Sequence, residues 1–439
     1  MFDMSPVAIG FSGLIILVVL MALRVPVGIA LGLVSVGGIT VLRGWGAAVA
    51  ALAGLPFEFV AHWSLSAVPM FLLMGAVAYH SGMTHGLFSA AKKWLGFLPG
   101  GLAVATNFAS AGFAAVSGSS LATAAAMGRI AIPEMLKARY DPGLAAGVVA
   151  ASGTLGSLIP PSILFVLYGV FTEQPIGKLL IAGLLPGLLT AFVYASMIIG
   201  RCAVNPRLAP VPAERYGLAE RLAELRSIWP VPLLILAVVG ALYSGFATTT
   251  EAAAFGAFMA YVIALAQRRL NWRSFKESLL ETLTSTASIF FVAVGAILLT
   301  RFLALSGVPS YLAGLMGDWA LDPILVVLGA SLIYLFLGMF LDPVGLMLIT
   351  LPVLMPMFRA LDLDLIWIGV LVVKYLEIGL LTPPVGLNAY VVSGVVGKAV
   401  PLSTICRGLL WFVAAEAVIV ALLIGFPQIS LYLPSLMDY

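Results

Sequence analysis

Two stretches of this chain are apolar enough to lie in a bilayer yet carry adjacent prolines in their middle. One reads Gly153-Thr-Leu-Gly-Ser-Leu-Ile-Pro-Pro-Ser162 within 142–171, the other Leu381-Thr-Pro-Pro-Val-Gly386 within 364–396. A proline lacks the N–H that a helix interior needs and frees a carbonyl one turn back. In hydrocarbon such backbone survives only against protein or a water-filled cavity. The fold must therefore shelter two helices, each interrupted near the bilayer centre. Freed carbonyl oxygens are suited to a coupling cation, whereas two simple proline kinks would need no ligand.

Composition decides that these are membrane segments. The chain has 439 residues, 62% hydrophobic and 9% charged, with 22 Lys+Arg against 19 Asp+Glu. Soluble domains carry roughly 25% charged residues. This excludes soluble enzymes and disordered scaffolds, and a net charge of +3 implies no nucleic acid partner. The expected class is an all-α polytopic membrane protein whose solvent is the lipid bilayer. Two cysteines make no disulfide framework. The start, with Asp3 and no basic n-region, reads as a retained first helix rather than a cleaved signal.

Apolar runs of spanning length are expected at 6–23, 25–42, 66–82, 178–200, 229–246, 249–266, 285–303 and 406–426. Basic residues set the orientation. The polar segments 202–228, with Arg201 at its edge, and 267–277 carry nine of the 22 and face the cytoplasm, as do the flanks of 100–131, which include Lys92, Lys93, Arg129, Lys137 and Arg139. Segment 100–131 is then a re-entrant hairpin from the cytoplasm, and 322–360 a hairpin from the periplasm. The count gives ten crossings with both termini periplasmic, leaving 46–62 interfacial.

The two halves resemble each other at a constant offset of 223, which carries Pro133 to Pro356, Gly156 to Gly379, Pro160 to Pro383, Pro161 to Pro384 and Leu164 to Leu387. Proline and glycine fix backbone geometry, so their coincidence is informative. Similarity combined with opposite entry sides is the inverted-repeat plan of secondary transporters.

The hairpin tips supply side chains. Val116-Ser117-Gly118-Ser119-Ser120 offers hydroxyls that cap the next half-helix or coordinate a cation. The offset maps Ser119 to Asp342, a carboxylate in apolar surroundings whose burial costs at least ~2.5 kcal/mol unless paired. Asp342 also precedes Pro343, as a capping residue would. Lys374 and Glu377, three apart on one helix, are expected to neutralise each other, with a proton- or ion-relay role as the alternative. Glu251 after three threonines reads as a capped first turn. No zinc-protease or nucleotide-binding signature occurs, so an ion gradient is the remaining energy source.

Taken together, the SGSS turn, GTLGSLIPPS, GMFLDP and EIGLLTPPVGLN, in this order, resemble the large membrane subunit of TRAP (tripartite ATP-independent periplasmic) transporters, the DctM-type M subunit. The resemblance implies an inverted-repeat elevator transporter with two re-entrant helical hairpins and two broken helices. It would be a Na+-coupled symporter in the bacterial inner membrane, not an enzyme. Its cargo would be an organic acid anion such as a C4-dicarboxylate or sugar acid. Partners would be a small four-helix membrane subunit and a periplasmic substrate-binding protein. One Na+ site would use Ser117 and Ser119 with the carbonyls of Gly156, Ile159 and Pro161. The other would use Asp342 with Gly338, Gly379, Thr382 and Pro384. Substrate would lie between, near Ser119, Ser120, Thr154, Pro160, Gly338 and Pro383. The implied division is scaffold at 1–82, a first transport repeat at 83–171 and scaffold with cytoplasmic loops at 172–284. A second transport repeat follows at 285–396 and a C-terminal helix at 397–439, with arms at 83–97 and 305–319. A stand-alone Na+/carboxylate symporter of the same superfold is the alternative, and an intramembrane enzyme using Asp342 and Glu377 a more distant one.

Overall fold

Aspartate before proline starts three of the helices that matter here. Asp141, Asp322 and Asp342 accept from the backbone N–H of Leu144, Ile324 and Gly345, each at 2.8 Å, and a proline follows each one. The proline at the first helical position sacrifices no bond, because that N–H has no partner in a helix anyway. Asp364 caps a fourth, Leu365–Leu381. The structure, a computed structural model, describes residues 4–210, 216–318, 322–384 and 386–437. Val385 of the second break and part of the longest polar segment fall outside the described residues. Every regular element among the described residues is a helix.

Six of these helices are long and apolar enough to cross a membrane: Trp63–His80, Ile176–Val204, Thr249–Ala266, Trp272–Ser306, Pro343–Ala360 and Leu402–Gly425. A bent pair, Leu218–Leu225 with Pro230–Tyr243, makes a seventh. Helix length thus yields fewer crossings than the expected ten. Pro6–Ala22 and Val27–Arg43 have 17 residues each, about 25 Å of helix against a core of about 30 Å. The stretch expected to be interfacial is itself a helix, Trp45–Val60, with Pro56 inside it. The expected arms are the short helices Gly86–Leu95 and Val308–Asp318.

One boundary differs more substantially. The basic segment 267–277 is only partly a loop, because a single helix of 35 residues runs from Trp272 to Ser306. Asn271 caps its start through Ser274 N at 2.8 Å, and Arg273 reaches Glu277 one turn on at 2.7 Å. This helix, about 52 Å long, passes straight through the expected division between 284 and 285. Gly307, at φ +77, ends it. It packs on Pro6–Ala22 and Val27–Arg43 where glycines leave notches for aromatic rings: Phe302 fills the space beside Gly13 of the first and Gly38 of the second, and Phe291 that beside Gly28. Small residues at such crossings let apolar helices approach closely without a hydrophobic driving force.

The internal repeat holds at the level of elements. The first hairpin is Gly101–Ser117 followed by Ser120–Lys137, the second Pro323–Gly338 followed by Pro343–Ala360. The later helix of the second hairpin begins and ends 223 residues after its counterpart. The broken helices correspond as well: Pro142–Gly153 and Ile163–Thr172 in one, Leu365–Leu381 and Leu387–Val396 in the other. Both proline pairs have a cis peptide bond. Asn388 of the second broken helix donates to the Ala150 carbonyl of the first at 2.9 Å, joining the two at their centres.

Candidate functional site

Each hairpin tip rests directly on the broken helix of its own repeat, backbone on backbone. A Cβ on Gly156 would stand 2.6 Å from the Ser119 carbonyl carbon, and one on Gly118 2.5 Å from the Pro161 oxygen. In the second repeat a Cβ on Gly379 would meet the Gly338 Cα at 2.7 Å. Gly156 and Gly379 are equivalent under the offset, so the same contact is built twice. The expected first-site residues are thereby gathered: the tip bearing Ser117 and Ser119 lies against Gly156 and Pro161. The second tip brings Gly338 against Gly379 in the same way.

Between the tips lies a cavity of about 380 Å³. Ser119 and Ser120 line it from one tip and Asp342 from the other, with Ser157 and Glu377 between them. A smaller cavity of about 190 Å³ shares Leu72, Ser119 and Ser285 with it and continues to Glu281. Ser119 caps Ser120–Lys137 through Ala122 N at 3.4 Å, and Asp342 caps Pro343–Ala360. Two helix N-termini therefore bear on one cavity, and each favours negative charge. Both readings of Asp342 hold together, since capping occupies Oδ2 while the residue lines the cavity.

Glu377 is fully buried. Its Oε2 accepts from the Ser120 hydroxyl at 2.7 Å, and Ser120 in turn meets Ser157 at 2.8 Å. Its Oε1 has no partner among the described residues. The expected neutralisation by Lys374 is corrected here. Lys374 turns away to Glu416 on Leu402–Gly425, 2.6 Å off, and also donates to Thr190 at 2.9 Å. Tyr194 donates to the same Glu416. Spacing on one helix sets which faces two residues occupy, but a stronger partner on a neighbouring helix decides where a long side chain goes.

The other expected residues are placed as follows. Ser117 meets Thr123 at 3.0 Å within its own tip. Ile159 packs its side chain on Gly187, which leaves only its backbone for ligation. Thr154 is wholly buried, bonded to the Ala151 carbonyl at 2.6 Å, and Pro160 is buried as well; neither lines the cavity. Thr382 bonds the Ile378 carbonyl at 2.7 Å, while Pro383 is half-buried and Pro384 exposed. The first break is thus the more enclosed of the two. Glu251 forms the expected capping box with Thr248.

Sequence reading missed the far wall. Thr284, Ser285, Ser288 and Ile289 of the long helix line the cavity, with Leu72 of the spanning helix Trp63–His80. The signal was present in the letters: residues 282–288 read TLTSTAS, a hydroxyl cluster inside an otherwise apolar run.

The comparisons with known proteins bear on the family and the fold. The family model described as "Tripartite ATP-independent periplasmic transporter, DctM component" matches residues 14–429. The C4-dicarboxylate TRAP transporter large permease protein DctM of Pseudomonas aeruginosa is 37% identical over 402 residues, covering 91% of this chain and 92% of that one. The sialic acid TRAP transporter large permease protein SiaM of Vibrio cholerae is 34% identical, covering 85% and 87%. Among solved structures the YdaH transporter of Alcanivorax borkumensis aligns with a TM-score of 0.62 at 15% identity, over 88% of this chain and 89% of that one, a likeness of fold. These relatives are transporter permeases and not enzymes, which sets aside the intramembrane-enzyme alternative for Asp342 and Glu377. The chain belongs to the DctM family, the large membrane permeases of tripartite ATP-independent periplasmic transporters.

Proposed function

We propose that this chain is the Na+-coupled transport subunit for an organic acid anion, moving it inward across the bacterial inner membrane by an elevator mechanism. The observation that carries this is the charge of the cavity between the tips. It is lined by two carboxylates, Asp342 and Glu377, and by no lysine, arginine or histidine among the described residues. Two helix N-termini offset part of that charge, each about half an elementary charge. A carboxylate cargo is held there only when cations enter with it, which makes occupancy of cation and anion mutually dependent.

The cation sites follow the repeat. Ser117 and Ser119 with backbone oxygens of Gly156, Ile159 and Pro161 make the neutral one. Asp342 with Gly338, Gly379, Thr382 and Pro384 makes the charged one. Substrate sits between Ser119, Ser120 and Gly338. The hydroxyls of Ser285 and Ser288, across the cavity, are donors for it and replace Thr154 and Pro160 in that role. The two hairpins and two broken helices, interlocked by the Asn388 bond to Ala150, travel as one body along the long helix. The first hairpin opens to the cytoplasm and the second to the periplasm. A periplasmic binding protein delivers the anion, and a small four-helix membrane subunit braces the scaffold.

Relatives named for C4-dicarboxylate and sialic acid transport, and another named for isethionate, support an organic acid as cargo. The test is uptake of labelled C4-dicarboxylate and labelled sialic acid into proteoliposomes under an inward Na+ gradient, with and without the two partner proteins. Uptake that needs sodium and all three components is expected. Uptake by the chain alone would point to a stand-alone symporter, and uptake indifferent to sodium would overturn the coupling.

A further inference from the structure

We propose that Glu377 is the anionic centre of a monovalent-cation site additional to the two built by the repeat, completed by the hydroxyls of Ser120 and Ser157. The inference rests on the Na+-coupled reading of the same cavity. It begins from a charge that the protein leaves unmatched. Glu377 is fully buried, and the only cation near it on its own helix, Lys374, is committed to Glu416 at 2.6 Å with Thr190 as a further partner. Lys374 and Glu416 cancel, and Tyr194 satisfies Glu416 from a third helix. The remaining ionisable side chain facing Glu377 across the cavity is Asp342, which adds repulsion and not relief. An isolated buried carboxylate is unstable unless something neutralises it.

The hydrogen bonds say what kind of neutraliser fits. Oε2 is satisfied by Ser120 at 2.7 Å, but Oε1 is buried without any partner among the described residues. A proton on Oε1 would be a donor with no acceptor to receive it, and a proton on Oε2 would leave Oε1 still without a partner, so protonation leaves an orphan group in either case. A cation beside Oε1 instead supplies what the oxygen lacks. Ser120 and Ser157, 2.8 Å apart, present neutral oxygens at the same spot. Carboxylate and hydroxyl oxygens are hard ligands that suit an alkali cation, and a single positive charge balances the single uncompensated negative one. The offset of 223 carries Glu377 back to Thr154, which is buried and bonded to its own helix. The site is therefore present in one repeat and absent from the other.

Equilibrium binding of ²²Na+ to the purified full chain in lipid nanodiscs tests this without requiring transport. The wild type is expected to bind one more Na+ per chain than Glu377→Gln. Glu377→Asp keeps the charge and restores that ion with affinity about tenfold weaker, and Ser157→Ala weakens it by about the same factor. Monodisperse elution of each variant reports folding; if Glu377→Gln does not fold, the Asp and Ser157→Ala variants carry the test through their weakened affinity. Equal Na+ stoichiometry in wild type and Glu377→Gln, or unaltered affinity in both other variants, overturns the site while leaving the coupled reading intact. A wild type that binds no Na+ overturns both.

Discussion

Lys374 and Glu416 form an ion pair 2.6 Å long in which neither side chain reaches solvent. It ties the second broken helix to the helix Leu402–Gly425, and the Thr190 and Tyr194 hydroxyls of Leu184–Val204 complete it. Breaking such a pair by removing one partner leaves a bare buried charge and costs about 3–5 kcal/mol, whereas replacing both by apolar residues of similar volume is near neutral. Lys374→Met alone is expected to lower the thermal unfolding midpoint sharply. Lys374→Met with Glu416→Leu should recover most of the loss, read by fluorescence unfolding in detergent.

Gly379→Ala places a methyl 2.7 Å from the Gly338 Cα. Backbone cannot yield as a side-chain tip does, so the second hairpin tip must lift. A displacement of this size is expected to reduce Na+-driven uptake by about 100-fold, with protein level in the membrane unchanged. Gly156→Ala should act alike on the first tip. Normal uptake by both variants would mean that tip seating is irrelevant to transport.

Asp342 caps a helix and, in the proposed function, holds a cation; substitution separates the two. Asparagine is as good an N-cap as aspartate, while alanine costs about 1 kcal/mol of helix stability. Asp342→Asn is therefore expected to keep its thermal midpoint yet need more Na+ for half-maximal uptake. Asp342→Ala should lose on both measures. Sodium dependence unchanged in Asp342→Asn would remove this carboxylate from the cation site.

A contact outside the membrane predicts a pH effect. Glu224 of the polar segment accepts from Lys93 of Gly86–Leu95. Its pKa is held below the ordinary carboxylate value by that hydrogen bond and by one from Ser89, against a smaller opposing effect of burial. With the folded pKa depressed, the contact contributes stability above the ordinary carboxylate pKa and loses it as pH falls through the folded value. Proteolytic cleavage between 202 and 228 should accelerate in the acid range for the wild type. Glu224→Gln should show the faster cleavage at every pH.

Ser285 borders both cavities. Loss of one hydroxyl donor to a bound carboxylate costs about 1.5–3 kcal/mol, so Ser285→Ala is expected to raise the KM for substrate by at least tenfold with little change in the Na+ requirement. An effect on sodium alone would place the hydroxyl with the ions and not with the anion.

What the sequence disclosed was whatever proline and glycine dictate locally. The two breaks, the tip turns and the correspondence of Gly156 with Gly379 follow from backbone rules that hold in any packing environment. Partnerships across the fold were hidden for the opposite reason. Lys374 finds Glu416 42 residues later, a pairing that no local spacing encodes, and Glu377 was misread for the same cause. The hydroxyl cluster at 282–288 was visible in the letters but had no meaning until the wall of a cavity was seen to need it. The start of the long helix was concealed by charge: Arg273, Lys276 and Glu277 read as loop, whereas the Arg273–Glu277 pair is the exposed face of an extension beyond the bilayer.

The same long helix sets a scale for motion. Its hydroxyls are confined to residues 274–288, with only Thr300 and Ser306 beyond them; the turns from Ile289 to Leu299 carry none. In the proposed elevator, a body sliding along this strut passes a hydroxyl-lined station near one end and an apolar stretch after it. In that proposal the apolar turns shed water during the stroke, which leaves the hairpins to open only at its two ends.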